Sequence, residues 1–147
     1  MFIVNVEGAV TDGSRWLMIR RSEKEEHAPG MIALPGGKTE VEGNTTDILE
    51  RTVRREIEEE TGVIVSDNMR YIHNTSFVTA AGIHVINIVF LCRYESGEAK
   101  VIDSYEAAEV MWMTTEDILS DSAIEIWPKN SIHLAERTLE SCKEGSF

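Results

Sequence analysis

Leu34–Val63, LPGGKTEVEGNTTDILERTVRREIEEETGV, is the stretch whose reading decides the fold. It opens on a Pro-Gly-Gly turn and closes with a helix ending in Arg55, Glu56, Ile57, Glu58, Glu59, Glu60, Thr61 and Gly62. Asn44, Thr45 or Thr46 can serve as the N-cap, through a side-chain oxygen that accepts from first-turn amides. Asp47 then falls in the first turn, where negative charge suits the helix dipole. Gly62 is placed to end the helix as a left-handed C-cap. These limits predict a helix of roughly sixteen residues.

At about 100° per residue, Leu49, Val53 and Ile57 form one apolar stripe spanning roughly 80° of the circumference. Glu56 and Glu60 project onto the Leu49 edge of that stripe, Glu59 sits on its flank, and Arg51, Arg54 and Glu58 face away. A solvated charge run would not point two carboxylates at the body of the protein. Four residues apart, Glu56 and Glu60 carry Cβ atoms about 6 Å from each other, and at an effective dielectric near 20 they repel by on the order of 3 kcal/mol. Arg55 supplies one positive charge. A hard divalent ion bound through oxygen ligands answers the geometry better.

The segment resembles the signature of the Nudix hydrolase family, Gly-x5-Glu-x7-Arg-Glu-U-x-Glu-Glu-x-Gly-U, in which U is a bulky aliphatic residue. Arg55, Glu56, Ile57, Glu59, Glu60, Gly62 and Val63 match every defined position of its second half. Pro35, Gly36, Gly37, Lys38 and Glu40 resemble the family's lead-in. One departure stands out: Gly37 precedes Arg55 by eighteen positions where the family has fourteen, so the loop is four residues longer. The family's first glutamate therefore falls on Glu42, Asn44 or Asp47, in a role that holds the loop rather than the metal. The resemblance implies an α/β fold, an α/β/α sandwich with a mixed β-sheet between helices. It implies Mg²⁺ or Mn²⁺ held by Glu56, Glu59 and Glu60 with the Gly37 carbonyl.

The chain, at 147 residues, is long enough for one domain with a buried core, and the whole of 1–147 reads as a single Nudix domain. Hydrophobic content of 42% with mixed charge fits a globular protein. A net charge of -12 argues against nucleic-acid polymers and anionic membranes, which want basic patches. It leaves room for a small nucleotide arriving with a divalent cation. Cys92 and Cys142 read as two reduced thiols rather than a disulfide framework. The N-terminus lacks a basic region and Glu7 interrupts its apolar run, so no signal peptide is expected. No apolar stretch approaches a membrane span. The expected location is cytoplasmic.

Phe2 to Thr11 and Arg15 to Arg21 read as two strands around the turn Asp12-Gly13-Ser14. In the resembled family an arginine at this strand end faces the nucleotide cleft. Alternation lets only one of Arg20 and Arg21 do so, and Arg21 is the choice. His27 belongs to the charged loop 22–30. Met31 to Leu34 leads into Gly36-Gly37, where the backbone can approach a phosphate or a metal, and Lys38 follows as a phosphate contact. Val63 to Val65 and Tyr71 to Thr79 read as extended, and His84 to Tyr94 returns as the second arm of a hairpin, its apolar centre buried on both faces. The acidic segment Asp103 to Glu109 precedes a strand at Val110 to Met113 and a helix start at Thr115. In Nudix proteins such a loop adds a glutamate to the metals or the attacking water; Glu106 and Glu109 are the candidates, with Glu106 assigned to the metal set. Ile132, Ala135 and Leu139 predict a final helix over Ser131 to Lys143, with Trp127-Pro128 breaking the chain before it.

The implied activity is Mg²⁺-dependent hydrolysis of a nucleoside diphosphate linked to another moiety. Glu56, Glu59, Glu60 and Arg55 form the catalytic set, with Arg21 and Lys38 on the phosphates. Either Glu56 or a loop glutamate would be the general base. Two other readings compete: a silent nucleotide sensor, which has no need to keep every metal ligand, and a structural protein with a solvated acidic helix. Nudix subfamilies acting on ADP-ribose or dinucleoside polyphosphates carry a Pro or Tyr downstream of the signature. Phe77, Val78, Thr79 and Ala80 stand there instead. That leaves a nucleoside triphosphate, a damaged one included, slightly ahead of ADP-ribose or a nucleotide sugar. Homodimers are frequent in the resembled family.

Overall fold

The computed structural model describes residues 1–142, and its centre is a thirteen-residue strand with a different partner on each side. Strand β7 (His84–Ser96) runs parallel to β1 (Phe2–Thr11), from Phe2 opposite His84 to Thr11 opposite Arg93. On its other edge it pairs antiparallel with β6 (Arg70–Val78) and then, further along, with the short β5 (Ile64–Val65). Beyond β1 come β2 (Trp16–Arg21), β3 (Ile32–Ala33) and β8 (Ala107–Met113), both of the latter antiparallel to β2. Strand β4 (Gly36–Lys38) lies antiparallel on β1, Gly36 opposite Glu7 and Gly37 opposite Val6. The sheet is therefore mixed, as expected.

Alternation along β1 and β7 divides the core in two. Val6, Val10, Phe90 and Cys92 pack with Val53 and Ile57 of α1 (Ile48–Thr61) on one face. Ala9, Val89 and Leu91 pack on the other with Ile132 and Ala135 of α3 (Ile126–Ser141) and Ile118 of α2 (Thr115–Ser120). The apolar centre of β7 is buried on both faces, as its sequence predicts. Helices on both sides of a mixed sheet make the α/β/α sandwich. Among the described residues, no helix is long and apolar enough to cross a membrane.

Several boundaries move. Helix α1 has fourteen residues and its N-cap is Asp47, in the left-handed region at φ 57° and without a side-chain cap bond, not Asn44, Thr45 or Thr46. The extra loop residues turn the chain there, and Arg51 does the anchoring by donating to the Thr46 carbonyl at 2.7 and 3.2 Å. Gly62 is the left-handed C-cap, its N–H donating to the Glu58 carbonyl. Trp127-Pro128 does not break the chain. Both residues lie in the first turn of α3, where a proline costs nothing because that N–H has no partner in the helix. Lys143 lies outside the described residues. Strand β8 starts at Ala107, which takes Glu109 out of the acidic loop and into the sheet.

Candidate active site

The apolar stripe of α1 docks on β1 and β7 and thereby fixes where its glutamates go. Val53 and Ile57 are fully buried, so the helix cannot roll, and Glu60 is carried inward to 6% exposure while Glu58 and Glu59 stay out. The N–H of Gly36 donates to Glu60 Oε1 at 3.2 Å. Burial pushes the Glu60 carboxyl up to about 8, with the charges of Glu106 and Glu56 adding to the rise and the Gly36 N–H and Arg21 opposing it.

Glu56 lies over Gly37. A methyl group at Gly37 would stand 2.4 Å from the Glu56 carboxyl carbon, so only glycine leaves room for the carboxylate there. Burial raises the Glu56 carboxyl first and the charge of Glu59 second, and the Arg55 hydrogen bond pulls it back. Arg55 joins the two, donating to Glu56 Oε1 at 3.4 Å with its Nε 3.9 Å from Glu59 Oε1. Glu106 sits in the turn before β8, its carbonyl accepting the Ser22 N–H. Its carboxyl is also raised, by burial first and then by Asp103, Glu25 and Glu59.

Arg21 stands across from this group. Its positive charge opposes the rise at Glu60, Glu106 and Glu7 alike, and its Nε donates to the His27 carbonyl at 2.8 Å. Arg20 instead pairs with Glu109 at 2.7 Å, in an exposed contact that removes Glu109 from the site. The structure therefore brings Arg21, Arg55, Glu56, Glu59, Glu60, Glu106 and Gly37 together. Lys38 is apart from them: it is exposed at the end of β4 opposite Asn5, and no ion pair or hydrogen bond among the described residues joins it to the glutamates. Of the three positions open for the loop-holding acid, Glu42 takes the role. It meets Arg51 at 2.7 Å and accepts from Thr45, and the Arg51 bond holds its carboxyl below the usual range.

Glu7 is the residue that sequence reading missed. It is half-buried on β1 beneath Gly36, accepts from Asn87 Nδ2 at 2.8 Å and is raised by burial. The signal was available: a lone glutamate within a ten-residue apolar strand that ends up in the middle of a sheet.

Among the described residues, no three His, Cys, Asp or Glu side chains converge closely enough to hold a metal ion as they stand. The donor set is nonetheless all oxygen. Its carboxyls are raised at Glu56, Glu60 and Glu106 by burial first, with neighbouring negative charge adding to the rise and Arg21 or Arg55 opposing it. Those are the groups a hard cation suits.

The raised Glu60 carboxyl sets a pH dependence of stability. Between the ordinary value of 4.5 and about 8 the unfolded chain has released this proton and the folded chain still holds it. Stability without a cation therefore falls as pH rises through that window, and levels outside it, by on the order of 4 kcal/mol from this group. Glu60→Gln mimics the protonated form. In chelator, its melting temperature should match the wild type near pH 5 and exceed it at pH 8 by roughly 10 °C; a constant gap would refute the burial argument.

The chain belongs to the Nudix family: the NUDIX domain model matches residues 1–135. It is 36% identical over 107 residues to the ADP-ribose pyrophosphatase of Methanocaldococcus jannaschii, an alignment covering 72% of this chain and 59% of that one. It is 33% identical over 97 residues to the NAD-capped RNA hydrolase NudC of Vibrio vulnificus, covering 66% of this chain and 34% of that one. The chain thus spans less than two thirds of the length of either relative. Among solved structures it resembles the MutT NUDIX hydrolase of Burkholderia pseudomallei, with TM-score 0.76 and 25% identity over 91% of this chain and 98% of the other. The MutT protein of Methanosarcina mazei Go1 gives the same TM-score with 27% identity, covering 95% and 96% of the two chains.

Proposed function

We propose that this chain, as one Nudix domain, hydrolyses the diphosphate bond of a nucleoside diphosphate linked to a second moiety, with Mg²⁺ or Mn²⁺. ADP-linked compounds are the first substrates to consider. The observation that carries the reading is Glu56 and Glu60, turned inward from α1 beside the Gly36-Gly37 turn with the exposed Glu106 close enough to raise both, all three carboxyls pushed up by burial and by one another's or neighbouring charge. The preference for ADP-linked compounds, over the triphosphate that the sequence slightly favoured, rests on the two relatives named for ADP-ribose and for NAD caps. A net charge of -12 favours a free small molecule over a capped polymer.

Glu56, Glu59 and Glu60 with the Gly37 carbonyl and Glu106 would hold the cation, which when bound neutralises diphosphate charge and lowers the pKa of attacking water. The protein's own groups do the rest. Arg55 bridges Glu56 and Glu59 and keeps both carboxylates oriented. Arg21 meets phosphate oxygens from across the site. Glu56 or Glu106 takes the proton of the water as its oxygen bonds to phosphorus and the anhydride P–O bond breaks. The products are a nucleoside monophosphate and the second phosphorylated moiety.

Assays on ADP-ribose, NAD, nucleotide sugars, dinucleoside polyphosphates and nucleoside triphosphates test this, with the monophosphate products separated by chromatography. Turnover is expected with Mg²⁺ or Mn²⁺ and none after exhaustive chelation; full activity in chelator would overturn the mechanism. At ten times its dissociation constant the cation should also add about 1.4 kcal/mol of stability, a melting shift of a few degrees at this size. Binding of nucleotide without turnover across the whole panel would instead favour a sensor.

A further inference from the structure

One part of the sheet face shared with α3 is left open. Register places Lys38, Asn5, Asn87 and Thr75 in one row across β4, β1, β7 and β6, with side chains on the same face. Asn5, Asn87 and Thr75 stay half-buried, as does Glu7 in the next row beside the buried Val89, whereas the row beyond is closed over Ala9 and Leu91. Within this opening the polar groups are chained. Asn5 Nδ2 donates to Asn87 Oδ1 at 2.7 Å, and Asn87 Nδ2 donates to Glu7 Oε1 at 2.8 Å. Each amide nitrogen has two hydrogens and each carboxylate two oxygens. So Asn87 keeps one N–H, and Glu7 Oε2 has no hydrogen-bond partner among the described residues. A donor and an acceptor are thus left side by side.

At the rim, the ring of His27 stacks on Phe77 with centroids 5.2 Å apart and planes 13° from parallel. Phe77 stands opposite Val85, one step further along the same face. Arg21 holds the His27 carbonyl and also bears on Glu7, so a single side chain links this opening to the glutamate cluster.

We propose that the opening binds the base of the nucleotide, with Asn87 and Glu7 reading its edge and His27 offering a stacking surface. The base that fits is adenine. Its exocyclic amine donates to Glu7 Oε2 and N1 accepts from Asn87, a donor-beside-acceptor edge like the one an amide reads on the N6/N7 side of adenine in nucleic acids. Hypoxanthine held in the same pose reverses both groups and meets an oxygen with an oxygen. This assignment rests on the proposed function above for the phosphate end of the substrate, but it is read by binding alone.

The experiment is calorimetric titration of the intact protein with AMP, IMP and ribose 5-phosphate. AMP should bind at least about tenfold more tightly than either of the others, a modest share of what one edge-reading pair discriminates. Glu7→Gln keeps the acceptor for Asn87 and turns the free oxygen into a donor. The AMP:IMP ratio should fall to one or below while the melting temperature is held. His27→Ala should weaken AMP and IMP together by about fivefold or more, without changing their ratio. Equal binding of AMP and IMP by the wild type, or a ratio that Glu7→Gln leaves unchanged, overturns the assignment. Base selectivity without any turnover would defeat the hydrolysis reading alone, and turnover indifferent to the base would defeat this inference alone.

Discussion

Glu60→Gln lowers turnover at least about a hundredfold, the loss expected on removing one strong electrostatic stabiliser of a transition state. The substitution spares the fold. Glutamine keeps the length of the side chain and an oxygen that accepts the Gly36 N–H, the one hydrogen bond Glu60 makes among the described residues. It deletes a buried negative charge that Glu56 and Glu106 both oppose. The cation-free protein therefore melts at the same or a higher temperature, while the part of the melting shift that Mg²⁺ produces shrinks. Glu58→Gln, on the exposed side of α1, changes none of these and serves as the control. A lower melting temperature in chelator, with specific activity intact in the folded fraction, would mean that Glu60 is structural.

The second large effect separates two adjacent glycines. At Gly36 an added methyl would stand 2.0 Å from the Val6 carbonyl oxygen and 2.8 Å from the Glu7 Cα, both main-chain atoms of β1. Backbone cannot step aside, so Gly36→Ala must open the β1–β4 pairing. It also disturbs the bond from Gly8 N–H to the Pro35 carbonyl. A cost of at least about 3 kcal/mol follows, beyond ordinary overpacking and a large share of the typical 5–15 kcal/mol of a domain. At Gly37 the added methyl meets the far end of the Glu56 side chain, which can swing away. Gly37→Ala should unfold within about 1 kcal/mol of the wild type yet lose at least about tenfold in turnover, since the displaced carboxylate belongs to the reacting group. Denaturant unfolding and activity on the same samples decide it. Equal stability losses for the two variants would show that β4 is not pinned as described.

What the sequence made legible was local or periodic. The helix stripe of Leu49, Val53 and Ile57 announced which side of α1 is buried, and the four-residue step from Glu56 to Glu60 followed from it. Gly62 stopped the helix for a reason visible in one residue. Arg21 rather than Arg20 faces the glutamates, but alternation could only say that one of them did. The pairing with Glu109 that occupies Arg20 depends on where β8 begins, and β8 begins three residues earlier than its apolar run suggests. The N-cap at Asp47 was hidden because no capping side chain marks it; the anchoring is done by Arg51 and Glu42 from either side of the loop. Glu7 stood out in its apolar strand, but its pairing with Asn87 was illegible for a different reason. They are eighty positions apart, and nothing in either strand names the other as its neighbour.

That separation also bears on how the chain is made. The parallel ladder of β1 and β7 joins residues 82 positions apart, Phe2 to His84. Bringing such distant segments together carries its entropy cost before any pairing rewards it. On a ribosome adding about 5–20 residues per second, β1 waits several seconds for its partner. During that interval β2 and β4 can hold only one of its edges. The other edge, with its backbone N–H and C=O groups unpaired, is an open template for any extended apolar chain nearby. The helix that carries the glutamates has its signature complete by Val63, but β7, half of its docking surface, does not yet exist. Newly made chains are therefore most exposed to mispairing between the emergence of β1 and that of β7, and substitutions that slow the meeting of these two strands should reduce the yield of soluble protein more than its final stability.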